Sequence, residues 1–102
     1  MPINEDNRRK LIDFPEGKIL EIKEDCVVGG HYHQIKTEYF ILSKGSCLMI
    51  LDNMKVPMRI GELYTVPPFT THSFQIKKGS ILIGLCSHPY DPNDEYKTPT
   101  ND

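Results

Sequence analysis

Apolar residues in this chain come in short runs, each closed by glycine, proline or a polar pair. Lys18 to Lys23 alternates imperfectly and reads as a strand, and Cys26 to Val28 resumes it after Glu24 and Asp25. Glu38 to Ser43 is rich in aromatic and branched residues, with Glu38, Phe40 and Leu42 on one face by parity. Ser46 to Leu51 is continuously apolar, as for a strand covered on both faces. Pro57 confines Met54 to Ile60 to an edge or a bulge. Leu63 to Val66 stops at Pro67 and Pro68. His72, Phe74 and Ile76 share one face, and Ser80 to Cys86 is the last core run. This pattern predicts an all-β chain of seven or eight antiparallel strands.

At 102 residues the chain has the length of one domain. Residues 1–16 read as an irregular N-terminal arm, 17–87 as the β domain and 88–102 as a tail without a core pattern. Leu11, Ile12 and Phe14 form a small apolar cluster in the arm. A formal net charge of −2 with no basic stripe argues against nucleic acid. No run approaches a membrane span, and the N-terminus lacks a signal-peptide core, so a cytoplasmic protein is expected. Three cysteines in no Cys-x-x-Cys spacing argue against a disulfide framework.

The chemistry concentrates around His31, His33 and Glu38. In an extended strand His31 and His33 point the same way, about 6.8 Å apart at Cα, so two imidazoles can converge on one ion. The polar turn from Gln34 to Thr37 can fold Glu38 back beside them. A solvated strand edge presents the same pair, so the pair alone is a weak signal. The second stretch, Gly61 to His72, adds a turn glycine, a short strand, a proline-stiffened bend and another histidine.

Together the two stretches resemble the cupin family. His31, His33, Glu38 and Gly45 match its first motif, and Gly61, Pro67 and His72 match its second. Asp25, Phe69 and Ile76 replace a Gly, a Gly and an Asn of those motifs. The resemblance covers roughly residues 17 to 87. It implies an antiparallel double-sheet jelly-roll barrel and a ligand set of His31, His33, Glu38 and His72. That set suits one divalent transition metal: iron, manganese, nickel, zinc or copper. It implies a small metal-dependent enzyme, an isomerase, epimerase or dioxygenase, acting on a small oxygen-rich substrate such as a sugar, a sugar nucleotide or a hydroxy or keto acid. A non-catalytic ligand-binding module and a metal-stapled structural barrel are the alternatives. Arg59, Tyr64, Phe69 and Phe74 are candidate substrate-binding residues. Arg59 is the only arginine beyond Arg8 and Arg9; it is placed to clamp a carboxylate or phosphate, with a plain surface role as the alternative. A homodimer is expected, because the Cys47 to Leu51 run and the outward Tyr39 and Ile41 need cover.

Overall fold

The computed structural model describes residues 3–89 and 91–97. These form eleven strands: β1 (Ile3–Glu5), β2 (Arg9–Phe14), β3 (Gly17–Ile22), β4 (Cys26–Tyr32), β5 (Glu38–Lys44), β6 (Cys47–Leu51), β7 (Met54–Pro57), β8 (Leu63–Val66), β9 (His72–Ile76), β10 (Ile81–Cys86) and β11 (Tyr96–Lys97). One 3₁₀ turn, Pro92–Asp94, precedes β11, and the described residues contain no α-helix. Among the described residues no helix is long and apolar enough to cross a membrane.

Every strand pair is antiparallel, and two sheets result. One runs β1-β2-β3-β10-β5-β8, the other β11-β4-β9-β6-β7. They face each other across one core. Leu20, Ile22, Phe40, Leu42, Val66 and Leu82 come from the first sheet, and Val28, Cys47, Met49, Phe74 and Ile76 from the second. Phe40 and Phe74 meet across it with ring centroids 4.6 Å apart. The expected parities hold: Glu38, Phe40 and Leu42 are buried on β5, and His72, Phe74 and Ile76 on β9. The architecture is a two-sheet β-sandwich.

Four local expectations change. Residues 9–14 are not irregular: β2 pairs with β3 along its whole length, and β1 adds an outer strand. Arg9, Leu11 and Asp13 share a parity that turns them inward, a period-2 signal masked by charged residues in apolar company. The tail also carries structure, since β11 pairs with β4 and Tyr96 stacks on Tyr32 at 5.2 Å. Residues 90 and 98–102 of the tail lie outside the described residues. Strand β6 alternates in burial instead of being covered on both faces, with Cys47 and Met49 buried and Leu48 and Ile50 half-buried. Strand β7 ends at Pro57 on the edge of its sheet, short of Ile60.

Gly29 and Gly30 matter more than a turn would. Both have positive φ, 91° and 86°, inside strand β4. The ladder pairs Gly29 with Ser73 and then His31 with His72, so one residue bulges out between them. A one-residue bulge reverses which parity faces inward. Val28 packs in the core upstream of it, and His31 and His33 face the same interior downstream. A Cβ at Gly29 would sit 2.8 Å from the His72 carbonyl oxygen, so the close pairing requires glycine there.

Candidate metal centre

The bulge brings His31 and His33 over β9, where His72 opens the strand, and β5 delivers Glu38 from the opposite sheet. One ligand atom from each of the four residues lies within 4.8 Å of the others. His33, Glu38 and His72 are buried and His31 is half-buried. These residues sit in a cavity of about 420 Å³ whose apolar side includes Phe40 and Phe74.

Hydrogen bonds set the histidine tautomers. His33 Nδ1 is 2.7 Å from the Asp94 carbonyl oxygen, and His72 Nδ1 is 3.2 Å from that of Thr70. A carbonyl oxygen can only accept, so Nδ1–H donates in both rings and a neutral ring keeps its lone pair on Nε2. Both Nε2 atoms face the same Glu38 Oε1, at 2.9 and 3.0 Å. Yet His33 Nε2, His72 Nε2 and Glu38 Oε1 are all buried and have no hydrogen-bond partner among the described residues. A proton on either Nε2 would answer only if the N–H pointed along a bond to Oε1, and neither does. Three buried acceptors converging without donors repel one another and cost several kcal/mol in total (about 1–3 kcal/mol each) unless a cation lies among them. The donor set therefore fits a transition metal ion.

The charge state agrees with that fit. Burial holds the imidazolium of His31 down to about 3, with repulsion from His72, Lys18 and His33 adding to it and Glu38 opposing. Burial alone would raise the Glu38 carboxyl. Contact with His33 and His72 and the Lys18 ammonium outweigh it and hold the acid well below the usual carboxylate range. Neutral imidazole and ionised carboxylate are the ligating forms.

Two connections hold these groups in place. Residues 34–36, between His33 and Glu38, wrap the Asp94 carboxylate. The N–H groups of Gln34, Ile35 and Lys36 donate to it at 2.9, 3.1 and 3.3 Å. Asp94 is only 4% exposed, and its carboxyl is held below the usual range by those backbone donors against the opposing effect of burial. The Phe69 N–H donates to the His33 carbonyl at 2.6 Å, while Thr71 and Asp52 exchange two hydrogen bonds just before His72. Glu95 Oε1 stands 3.5 Å from His31 Nδ1.

Phe74 lines the cavity with the four clustered residues, but Arg59, Tyr64 and Phe69 are not among its lining residues. Tyr64 packs against the core. Its hydroxyl accepts from the Arg59 N–H at 2.7 Å and donates to Glu62 at 3.0 Å, which ties down the turn before β8. Arg59 is exposed, and Phe69 is 67% exposed. Lys18, Lys36, Asp94 and Glu95 were not anticipated at the site. Parity could have found Lys18, since it shares the inward face of β3 with the buried Leu20 and Ile22. Asp94 and Glu95 carry no local signal, because a carboxylate reaches this loop only after the chain has folded.

Comparison with solved structures finds the same architecture. The chain resembles the capsular polysaccharide assembling protein CapF from Staphylococcus aureus at a TM-score of 0.79 and 20% identity, covering 97% of this chain and 32% of that one. A Streptomyces PAC13 variant solved with uridine matches at 0.73 and 13% identity, covering 99% and 87%. A 3,4-ketoisomerase from Helicobacter canadensis matches at 0.73 and 18% identity, covering 95% and 86%. The chain thus spans about a third of the length of CapF. These are cupin-fold proteins, and the likeness shows that fold for this chain. No family model matches the sequence, and no curated protein sequence does.

Proposed function

We propose that this chain is a metal-dependent enzyme acting on a small, oxygen-rich substrate of the sugar or sugar-acid class, with His31, His33, Glu38 and His72 as metal ligands. The observation that carries the reading is the set of three buried acceptor atoms converging without donors on the wall of an open cavity. A metal that served only as a staple would be expected in a closed, four-coordinate site. Here the ligands border a space large enough for a small molecule. Structural neighbours give support of a second kind: ketoisomerases and a uridine complex occur among them.

A bound divalent ion would supply Lewis acidity toward a carbonyl or hydroxyl oxygen. The protein's own residues do the rest. Asp94 and Thr70 hold the His33 and His72 rings with Nε2 free to ligate. Phe40 and Phe74 keep one side of the cavity apolar, which strengthens electrostatic contacts beside it. Isomerisation or epimerisation next to a carbonyl is the favoured reaction, and dioxygenation the less favoured.

The test is metal analysis of the purified protein, followed by titration of metal-loaded and metal-free forms with hydroxy acids, keto acids and sugars and an assay of each for turnover. Binding confined to the loaded form, with turnover of one class, is expected. Equal binding to both forms would overturn the reading. Two copies are proposed to pair, covering exposed apolar side chains such as Ile60 and Leu63 beside edge strand β8. A light-scattering mass near 11.7 kDa would refute that pairing.

A further inference from the structure

We propose that Lys18 is the anion-recognition group of this cavity. It would hold a carboxylate or phosphate of a compact ligand whose other oxygens face the His31–His33–Glu38–His72 cluster. The inference rests on the metal reading above and adds to it the charge class of the substrate.

Lys18 starts two strands away from Glu38, on the same inward face of the sheet. Three strands lie in register there: Lys18 on β3 pairs with Gly84 on β10, and Gly84 pairs with Phe40 on β5. A Cβ at Gly84 would meet Phe40 Cε1 at 2.9 Å and Lys18 Cε at 3.4 Å. The missing side chain opens a channel across β10, and the lysine stem lies along it. Its Nζ reaches 3.9 Å from Glu38 Oε2, the carboxylate oxygen not shared with the two histidines. That is ion-pair distance, too long for a hydrogen bond. Among the described residues no acceptor takes a hydrogen bond from the Lys18 ammonium; its side chain is 30% exposed, and the residue lines the cavity.

Charge gives the ligand class. The lining residues carry three basic side chains, Arg9, Lys18 and Lys36, against three acidic ones, Asp13, Glu38 and Glu95. This balance holds only for the metal-free protein. A divalent ion among the ligands adds about two positive charges and takes up the Glu38 carboxylate. Lys18 then faces a cavity with surplus positive charge and has three donors to offer. An anion that also presents neutral oxygens to the cluster satisfies both.

Cobalt(II)-loaded protein is titrated calorimetrically with glycolate, pyruvate, D-glucuronate and glucose 6-phosphate, with glycerol and D-glucose as neutral controls. Wild type, Lys18→Met and Lys18→Arg are compared. The methionine keeps the apolar stem and removes the charge. At least one anion is expected to bind wild type, to weaken about tenfold or more in Lys18→Met, and to recover most of that loss in Lys18→Arg. Preference between glucuronate and glucose 6-phosphate distinguishes carboxylate from phosphate. Cobalt affinity of Lys18→Met should equal or exceed that of wild type, because a positive neighbour has been removed; a merely structural lysine would lower it. Cobalt binding with no anion affinity, or with anion affinity unchanged in Lys18→Met, overturns the role of Lys18 and leaves the metal reading standing. Failure of cobalt to bind wild type brings down both. If Lys18→Met misfolds, Lys18→Gln takes its place under the same criteria.

Discussion

Two connections lead into the same cluster, and they are secured to different degrees. The segment between His33 and Glu38 is held from outside, by a carboxylate about sixty positions away in sequence whose oxygens collect the N–H groups of residues 34–36. The segment before His72 is held mainly through main-chain groups: Phe69 sits at φ 65° and donates to the His33 carbonyl, and Thr71 exchanges two hydrogen bonds with Asp52, one of them to its carboxylate. The first is secured by partly buried ionic hydrogen bonds and has a large interaction to lose. The second carries local strain, since a non-glycine residue at positive φ is disfavoured by roughly 1 kcal/mol or more. Both connections act on His33, through its ring and through its carbonyl oxygen.

The largest effect should come from removing the group on which both connections converge. His33→Ala deletes a proposed ligand and should abolish tight metal binding. At metal concentrations a thousandfold above the wild-type Kd, bound ligand stabilises the native state by about 4 kcal/mol. The variant should lose that increment. The measurement is thermal melting with and without cobalt(II), and a metal-dependent rise in Tm equal to wild type would contradict it.

Cutting the external hold comes next. Asp94→Ala leaves the N–H groups of residues 34–36 without their acceptor and should cost about 2–3 kcal/mol, the scale of charged hydrogen bonds. The variant keeps the Asp94 main-chain carbonyl that accepts from His33, so metal affinity should fall only through the loosened loop, by less than about tenfold. Asp94→Asn keeps the shape and one acceptor oxygen and should lie between. Urea unfolding together with metal titration checks both effects. A loss of stability with metal affinity unchanged would separate the loop from the ligand it carries.

Acid should weaken the first connection selectively. The Asp94 carboxyl is depressed in the folded protein, so the unfolded chain binds its proton first as pH falls. Its contribution is complete above the unfolded value, near 3.9, and is lost as pH drops through the folded one. Wild-type stability should therefore fall faster below pH 4 than that of Asp94→Asn, by at most about 1.4 kcal/mol per pH unit. Parallel acid profiles for the two proteins would remove the ionised carboxylate from the account.

How far each connection could be read beforehand follows from the same contrast. His31, His33, Glu38 and His72 were legible because strand parity and motif spacing are local properties, and the parities of β5 and β9 hold. Gly29 and Gly30 were visible as loosened backbone, but their service as a parity-reversing bulge depends on pairing with β9. The N-terminal strand was hidden because Arg9 and Asp13 face a polar cavity, which breaks the apolar alternation that marks a strand. Asp94 was invisible for a stronger reason. Nothing near it in sequence distinguishes a turn aspartate from a buried one, and its partners are supplied by the fold. Arg59 and Tyr64 lie outside the cavity lining, and their hydrogen bonds fall in the turn before β8, the surface alternative that their chemistry also left open.

The smallest effect tests the strain in the second connection. Phe69 exposes 67% of its surface, so its ring contributes little burial to the isolated chain. Its backbone has a positive φ that glycine adopts without a Cβ clash. Phe69→Gly should remove that strain while the N–H to His33 remains. Greater freedom in the unfolded chain opposes the gain, by an amount on the order of 0.5–1 kcal/mol. The net change should be a stabilisation of no more than about 1 kcal/mol, read as a higher urea midpoint at unchanged m-value. Metal affinity should stay within about threefold of wild type, because no ligand moves. Phe69→Ala separates the two contributions: it deletes the ring but keeps the Cβ, so it should show no gain. A clear destabilisation by Phe69→Gly, with a fall in light-scattering mass, would mean that the exposed ring is buried against a second copy and that the strain is retained for that contact.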